Sequence, residues 1–184
     1  INIENFNPQQ RRNLSIAFVP ENRLGHSAVP ELTLSENILL SQFAHNKFSK
    51  YGIIDKNYIE NHTNTVIQNF NVVTPGSDAK ASSLSGGNLQ KFVIGREITS
   101  NPELLIISHP TWGIDAGAEH SIRESLINLS KHGTSIIVIS QDLDELIEIT
   151  HRMSVIYDGK LSESFNTKNI DITKLGLLMG GKND

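Results

Sequence analysis

The sequence predicts an α/β fold in which short parallel strands alternate with helices. Apolar runs rich in β-branched residues occupy residues 104–107 and 134–140, and each lies between stretches of helical spacing. A third apolar run, residues 14–20, closes on a proline, as a buried strand often does. The resulting order of strand, helices, strand, helix, strand favours a parallel sheet with a mostly helical insertion at residues 35–99.

In the first half of the chain, capping residues and apolar spacing mark the helices. The first 13 residues are polar and predict a loosely structured N-terminal segment. A helix is expected to begin near Ser35, where polar capping residues precede apolar ones, and helical spacing extends over residues 55–70. Residues 45–57 are polar and aromatic, and we expect a loop there.

In the second half, strands and helices continue to alternate. A helix over residues 119–129 is expected to end at Gly133, which suits a helix C-terminus. The strand that follows, residues 134–140, has an unbroken β-branched apolar run at 136–139, which predicts a parallel strand covered on both faces. The remaining expectations are a short acidic helix with a solvated face (142–150), a hairpin through Asp158-Gly159 (153–165) and a last helix (172–179).

The composition excludes several classes of function. The chain has 184 residues, a formal charge of −4 and no cysteine, so it has no overall basic field for nucleic acid and no thiolate chemistry. No apolar run approaches the roughly 18 residues that span a bilayer. The seven histidines lack the paired spacing of a zinc site, so no metal site is expected. Because the chain begins at Ile1 without a methionine, we expect it to be part of a longer protein.

A Ser-Gly-Gly turn opens the helix that begins near residue 85. The first turn of a helix has free N–H groups and partial positive charge, and glycine lets a phosphate approach the backbone closely. Ser85 can cap the helix or donate a hydrogen bond to an oxygen, and Gly86 and Gly87 follow it. Taken alone, such a turn is more often a simple helix cap than an anion site.

The residues around this turn carry a resemblance to a known family. Residues 83–115 read SLSGGNLQKFVIGREITSNPELLIISHPTWGID. This stretch resembles, without a gap, the signature helix, Walker B strand and D-loop of ATP-binding cassette (ABC) ATPases. The residues that match are the signature from Leu84 to Gly87, the helix arginine Arg96 and the turn Asn101-Pro102.

The resemblance implies a fold and a domain organisation. The fold would be a partial P-loop NTPase-like core with parallel strands plus a helical subdomain, without the Walker A portion. We expect residues 1–184 to form a single truncated nucleotide-binding domain. Its helical signature subdomain would cover about residues 35–99, and its α/β core would comprise residues 14–34 and 100–184.

The resemblance also implies which residues meet the nucleotide. Ser85, Gly86, Gly87 and Asn88 of the signature, Asp115 of the D-loop and Glu21 at the Q-loop position would be the cofactor-binding residues. The cofactors would be ATP and Mg²⁺, bound by a complete composite site rather than by this chain alone. Trp112 is expected to be a packing residue at the D-loop.

The expected catalytic positions depart from the family pattern. Where the family has two carboxylates after the Walker B strand, this chain has Ser108 and His109, which supply neither a metal ligand of that charge nor an obvious base. The switch-loop histidine is replaced by Gln141, which cannot shuttle a proton. No residue is therefore assigned a catalytic role, and the chain alone is expected to be inactive.

A phosphate loop is not expected within these residues. Residues 176–182 spell G-x-x-x-x-G-K, but Asn183 follows instead of Ser or Thr, and a predicted helix precedes the motif instead of a strand. In the family, the Walker A loop lies upstream of the Q-loop. We therefore expect it before Ile1 in a longer chain.

The details of the motifs are similar to the second cassette of importers for simple sugars or nucleosides. The implied partners are the N-terminal cassette of the same polypeptide or a second copy, transmembrane permease subunits and, indirectly, a solute-binding protein. The implied location is peripheral, on the cytoplasmic face of the membrane. Two alternatives stay open: a degenerate cassette that acts as an interaction or regulatory module without hydrolysis, and a non-transport ABC ATPase working on DNA or ribosomes. The net charge disfavours the second, since no nucleic-acid partner is expected.

Overall fold

A computed structural model of the protein describes residues 2–43, 48–50, 52–169 and 171–181. Within it the chain forms two compact units, residues 1–139 and residues 140–184. The predicted single domain over all 184 residues remains a prediction. Part of the expected loop at residues 45–57, namely 45–47 and 51, lies outside the described residues. Among the described residues, no helix combines the length and apolar character needed to cross a membrane.

Among the described residues, the first unit contains five helices and five strands in an α/β order. Its elements are α1 (Pro8–Asn13), β1 (Ile16–Val19), α2 (Leu34–Gln42), β2 (Ser49–Lys50), β3 (Ile53–Ile54), α3 (Lys56–Asn69), α4 (Gly86–Ile98), β4 (Leu104–Ser108), α5 (Ala116–Lys131) and β5 (Ser135–Ile139). A short 3-10 turn, Ala81–Ser83, leads into α4. The predicted strands and the helices after residue 55 are confirmed, with boundaries that shift by up to three residues.

A three-stranded parallel sheet forms the core of this unit, in the order β1-β4-β5. Ile107 of the central strand pairs with Val19 on one side and with Val138 on the other. Since parallel strands need crossover connections, the helices α2 to α4 lie between β1 and β4, and α5 lies between β4 and β5. The predicted parallel α/β core is confirmed.

The sheet has one buried face and one open face. Ala17, Val19, Leu105 and Ile107 are almost fully buried. Side chains alternate along a strand, so every second residue points to the other face of the sheet. On that face Phe18 (49%), Ile137 (50%) and Ile139 (52%) are half exposed. The expectation that residues 134–140 are covered on both faces is therefore wrong for the described residues.

The three helices α2, α3 and α4, which lie between β1 and β4 in the chain, pack together. Their shared core is fully buried and includes Leu34, Ile38, Val66 and Phe92. This arrangement agrees with the predicted helical insertion. It also presents the first turn of α4 at the surface, because Ser85 and Gly86 are exposed while the helix is buried from Phe92 to Glu97.

Two segments of the first unit have more structure than the sequence analysis predicted. Residues 8–13 form α1, capped by a reciprocal pair in which the Asn7 side chain accepts from the Gln10 backbone N–H, and the Gln10 side chain accepts from that of Asn7. Pro8 occupies the first helical position, where its missing N–H costs nothing. The other segment is the hairpin β2–β3, inside the expected loop.

The second unit contains α6 (Leu143–Ile149), β6 (Arg152–Met153), β7 (Ile156–Tyr157), β8 (Lys160–Leu161), β9 (Phe165–Asn166) and α7 (Ile172–Met179). β6 pairs with β9 and β7 with β8, both antiparallel, so the predicted hairpin is confirmed. Asp158 and Gly159 adopt the left-handed conformation that its two-residue turn requires.

Two further predictions concern the helices of this unit. Glu145, expected on a solvated face, is instead buried, because α6 turns this side inward together with Leu146. Gly176 lies inside α7, so its part of the G-x-x-x-x-G-K sequence is helical, as expected. Lys182 and Asn183 lie outside the described residues.

Candidate functional site

The Ser-Gly-Gly turn forms the N-terminus of α4. Ser85 is the N-cap residue, with extended backbone angles, and its Oγ accepts a hydrogen bond from the backbone N–H of Asn88. The amide of Asn88 donates to the same oxygen at 3.0 Å, while its Oδ1 accepts from the N–H of Val73 at 2.9 Å. The cap therefore fixes Asn88 and leaves the N–H groups of Gly86 and Gly87 at the exposed start of the helix.

The space around Gly87 shows why this turn can admit a ligand. A Cβ placed on Gly87 would meet only Ile114, at an ordinary contact distance of 3.7 Å. The backbone at Gly87 therefore has no covering side chain beyond this contact, while Nη1 of Arg23 lies beside Gly86. A cleft of about 630 Å³ lies in the helical part of the unit, but none of residues 85–88 lines it. The turn is a surface feature suited to an anion presented from outside.

Asp115, predicted at the D-loop, lies close to this turn. It caps α5 by accepting a hydrogen bond from the N–H of Ala118 at 2.9 Å. That bond is the main cause of the lowered pKa of Asp115, and Lys91 of α4 adds to the lowering through an ion pair of 3.9 Å. Since Gly87 lies beside Ile114, the start of α4 is adjacent to the loop that leads to Asp115.

Ser108 and His109 stand at the carboxyl end of the central strand. His109 adopts a left-handed backbone conformation (φ 48°), and its N–H donates to the carbonyl of Ile139 at 2.8 Å. Its ring lies 5.7 Å from that of Trp112. Trp112 is 63% exposed, so the expectation that it packs into the protein is wrong.

This end of the sheet does not fit a divalent cation. Mg²⁺ prefers carboxylate and other hard oxygen ligands, whereas β4 ends in a hydroxyl and an imidazole. Across the described ranges, no group of three His, Cys, Asp or Glu side chains is placed to hold a metal ion. The end of β4 therefore offers no carboxylate ligand for a divalent cation.

The two remaining predicted residues, Glu21 and Gln141, belong to different units. Glu21 is exposed and follows β1 after Pro20. Gln141 is also exposed, but it belongs to the second unit, where it precedes the Asp142 cap of α6. Both follow the carboxyl ends of parallel strands, where ligands of open α/β sheets bind.

Arg23 is a residue that the sequence analysis missed. Its Nε donates to Oε1 of Gln90 at 3.0 Å, and its Nη2 donates to the carbonyl of Trp112. Gln90 is 2% exposed and donates in turn to the carbonyl of Pro110 at 3.1 Å. Burial lowers the pKa of Arg23. No local pattern identifies this residue, because its partners lie 67 and 89 positions away along the chain.

Comparisons with known proteins agree with this fold. Two solved structures match with a TM-score of 0.75 and 20% identity: a dimeric ATP-binding cassette in a post-hydrolysis state with ADP and Pi, of which 72% is covered, and an ATP-binding subunit of an ABC transporter, of which 73% is covered. They match 92% and 98% of this chain. These likenesses define the class of protein by its fold, that of an ATP-binding cassette.

Sequence comparison gives the family. The chain is 40% identical over 181 residues to the nucleoside import ATP-binding protein NupA of Lactococcus lactis, and 35% over 179 residues to the guanosine import ATP-binding protein NupO of Bacillus subtilis. A glucose import ATP-binding protein of Haloferax volcanii is 33% identical over 184 residues. These matches cover 97–99% of this chain but only 34–36% of the relatives. No protein-family model matches. The chain belongs to the ATP-binding cassette (ABC) ATPase family.

Proposed function

We propose that this chain is the C-terminal cassette portion of the ATP-binding subunit of an ABC importer for a simple sugar or a nucleoside. The chain spans about a third of the length of the curated relatives it matches, and those relatives are import ATP-binding proteins for nucleosides, guanosine and glucose. The working unit includes an N-terminal cassette or a second copy, together with permease subunits and, indirectly, a solute-binding protein. It acts peripherally at the cytoplasmic face of the membrane.

The observation that carries the proposal is the exposed turn at the start of α4. Ser85 caps the helix, Gly86 is exposed, and Gly87 carries no side chain that would cover the N–H groups of the first turn. These residues, with Asn88, would contact the terminal phosphate of ATP held on the Walker A loop of the other cassette. ATP supplies a triphosphate whose binding draws the two cassettes together. The dipole of the helix and its N–H groups favour this negative charge.

Asp115 and Glu21 have supporting roles in the proposal. Asp115 holds the start of α5 beside the signature turn through its cap to Ala118. Glu21 is exposed and follows β1 after Pro20. From this position it would link the nucleotide site to the permease. Because Ser108 and His109 provide no carboxylate, we assign hydrolysis to the composite site that Ser85 to Gly87 complete, and none to the site that faces β4.

A second candidate function is a cassette that binds without turnover and acts as a regulatory module. The observation that favours it is the sequence at the end of β4, where a hydroxyl and an imidazole stand in place of the usual carboxylates. The two candidates differ in one respect. In the importer, closure on the Ser85 turn is required for ATP turnover, whereas a regulatory module would tolerate loss of the turn.

Uptake measurements test the proposal directly. Deletion of the gene should abolish uptake of at least one labelled compound in a panel of hexoses and nucleosides, and the wild-type gene should restore it. A gene carrying Asn57→Asp, a charge change at the exposed first turn of α3, serves as the matched control and should restore uptake fully. Unchanged uptake of every sugar and nucleoside in the deletion strain would contradict the importer assignment.

A further inference from the structure

The segment that follows β1 is tied to α4 at two points. Residues 22–28 fold on themselves: the Oγ of Ser27 donates to the carbonyl of Asn22 at 2.9 Å, and the N–H of Ala28 donates to that of Arg23 at 2.8 Å. The carbonyl of Ser27 accepts a hydrogen bond of 2.9 Å from buried Arg96 in the last turns of α4. Arg23 provides the second tie, near the start of the same helix.

Arg23 also holds the loop between β4 and α5. Its guanidinium bonds Gln90 of α4 through Nε and the Trp112 carbonyl of the loop through Nη2. Its Nη1 lies beside the signature turn, because a Cβ built on Gly86 would come within 2.8 Å of it. A Cβ on Gly113 would lie 3.4 Å from Nη2. The planar side chain of Arg23, which belongs to the segment after β1, therefore contacts both the turn at the start of α4 and the loop between β4 and α5.

The loop itself depends on such bonds for its shape. His109 and Gly113 both have left-handed backbone angles, with φ values of 48° and 66°. A non-glycine residue in this region carries a conformational cost, so the surrounding contacts must hold it. The carbonyl of Pro110 is held by Gln90, and that of Trp112 by Arg23.

We propose that Arg23 is a positioning residue that makes segment 20–28 and the loop 109–115 move as one body. The outer side of the segment, including Glu21 and Leu24, is exposed and available to a partner. A displacement there would pull on the Trp112 carbonyl and so shift the loop that leads to Asp115. The functional consequence, transmission between partner and nucleotide side, rests on the proposed importer function. The bracing, by which we mean that Arg23 holds segment 20–28 to the loop 109–115, does not rest on that function.

Hydrogen exchange of the full polypeptide tests the bracing. Arg23→Lys keeps the charge but removes the planar fork that reaches two acceptors at once. We expect amide exchange in residues 111–115 to accelerate at least tenfold, while exchange in α1 is unchanged. Gly86→Ala, which displaces Nη1 without removing the guanidinium, should accelerate the same amides. The matched control is Arg11→Lys, because Arg11 also donates from Nε to a carbonyl, that of Phe6, and does not contact the loop.

A second measurement tests the transmission. In the assembled transporter, Arg23→Lys should lower the stimulation of ATP turnover by the permease at least fivefold, with the KM for ATP unchanged and with Arg11→Lys at the wild-type level. Unaltered exchange in residues 111–115 overturns the bracing. Faster exchange with full permease stimulation overturns the transmission and leaves the importer function intact. A wild-type protein without permease-stimulated turnover contradicts the proposed function, while the exchange result still decides the bracing.

Discussion

At the scale of single residues, Ser108 and His109 at the end of β4 determine whether metal binding or proton transfer can take place there. A carboxylate there could bind a metal ion or accept a proton from water. Ser108 can do neither, and His109 is held with its backbone N–H bonded to Ile139 and its ring beside that of Trp112. The imidazole is thus placed by loop geometry, and among the residues that the structure describes no carboxylate orients it as in a catalytic pair.

Substituting these two residues tests that interpretation. We expect Ser108→Ala and His109→Ala, each in the assembled transporter, to change ATP turnover by less than tenfold, since neither side chain replaces a carboxylate. Steady-state phosphate release measures it, with Asn57→Asp as the control for purification and assembly. A loss of tenfold or more, about 1.4 kcal/mol of barrier, would give His109 a catalytic role and contradict our assignment.

Glu36 offers a prediction about pH. Hydrogen bonds from the backbone N–H and then the hydroxyl of Thr33 lower its pKa. A carboxyl with a lowered folded-state pKa contributes stability above its unfolded pKa of about 4.3, and this is lost as the pH falls through the folded value. We expect Glu36→Gln, which can keep the capping box, to lose less stability than the wild type between about pH 5 and pH 3.

Urea unfolding at several pH values measures this difference. Glu60→Gln on the exposed side of α3 serves as the control, since Glu60 caps no helix. If the wild type and Glu36→Gln lose the same unfolding free energy as the pH falls, then the capping box at α2 contributes nothing to acid sensitivity.

At the scale of elements, α4 connects the helical part to the candidate site, and its close contact with α3 depends on Gly95. A Cβ on Gly95 would lie 2.5 Å from the ring of Phe70, well inside contact distance. Helix propensity alone predicts that Gly→Ala in a helix stabilises by roughly 0.5–1 kcal/mol. The clash opposes this gain, since overpacking of this kind costs about 1–3 kcal/mol.

We therefore expect Gly95→Ala to destabilise the protein by about 1–2 kcal/mol, and Gly95→Ala with Phe70→Leu to recover part of that loss. Gly87→Ala in the same helix is the matched control. Its Cβ would lie 3.7 Å from Ile114, which is an ordinary contact distance, so the change should be nearly neutral. Denaturant unfolding measures all three. A stabilising Gly95→Ala would mean that α3 and α4 are not in close contact at this point.

The elements also show how far sequence reasoning extends. Ser85, Asp55 and the β-branched run of β5 have local signatures, so the start of α4, the start of α3 and a parallel strand were predictable. The helix α1 was missed although Asn7, Pro8 and Gln10 form a capping box with a proline at the first position. Its lack of apolar residues outweighed that signal.

The remaining differences have no local signal at all. Whether Ile137 and Ile139 are covered depends on what packs on the sheet. A strand with one open face and a strand covered on both faces can have the same run of apolar residues. The bond from Arg23 to Trp112 joins residues 89 positions apart through an irregular loop. Hydrophobic periodicity cannot reveal such a pair, and only the folded chain does.

At the scale of the whole molecule, the account predicts that ATP turnover requires another cassette. We expect this 184-residue chain alone to show no ATP hydrolysis, because β4 ends without carboxylates and the described residues contain no phosphate loop. Phosphate release by the purified chain measures it. Magnesium-dependent turnover that follows the protein through purification would contradict the prediction.

The central claim is that the turn from Ser85 to Gly87 contacts nucleotide and is more than a helix cap. Gly87→Asp tests it, since the side chain has room to fit against Ile114 and a negative charge at an exposed helix start is mildly favourable for stability. In a closed site beside a triphosphate, the same charge is strongly unfavourable. The control is Asn57→Asp, which adds a charge at the equivalent second position of α3.

The decisive measurement compares thermal melting of the chain with ATP turnover of the assembled transporter for these two variants. We predict that both variants melt within a few degrees of the wild type, that Asn57→Asp retains turnover, and that Gly87→Asp abolishes it. If Gly87→Asp folds and the transporter still turns over ATP at the wild-type rate, then the turn is only a helix cap and the assignment of the signature is wrong.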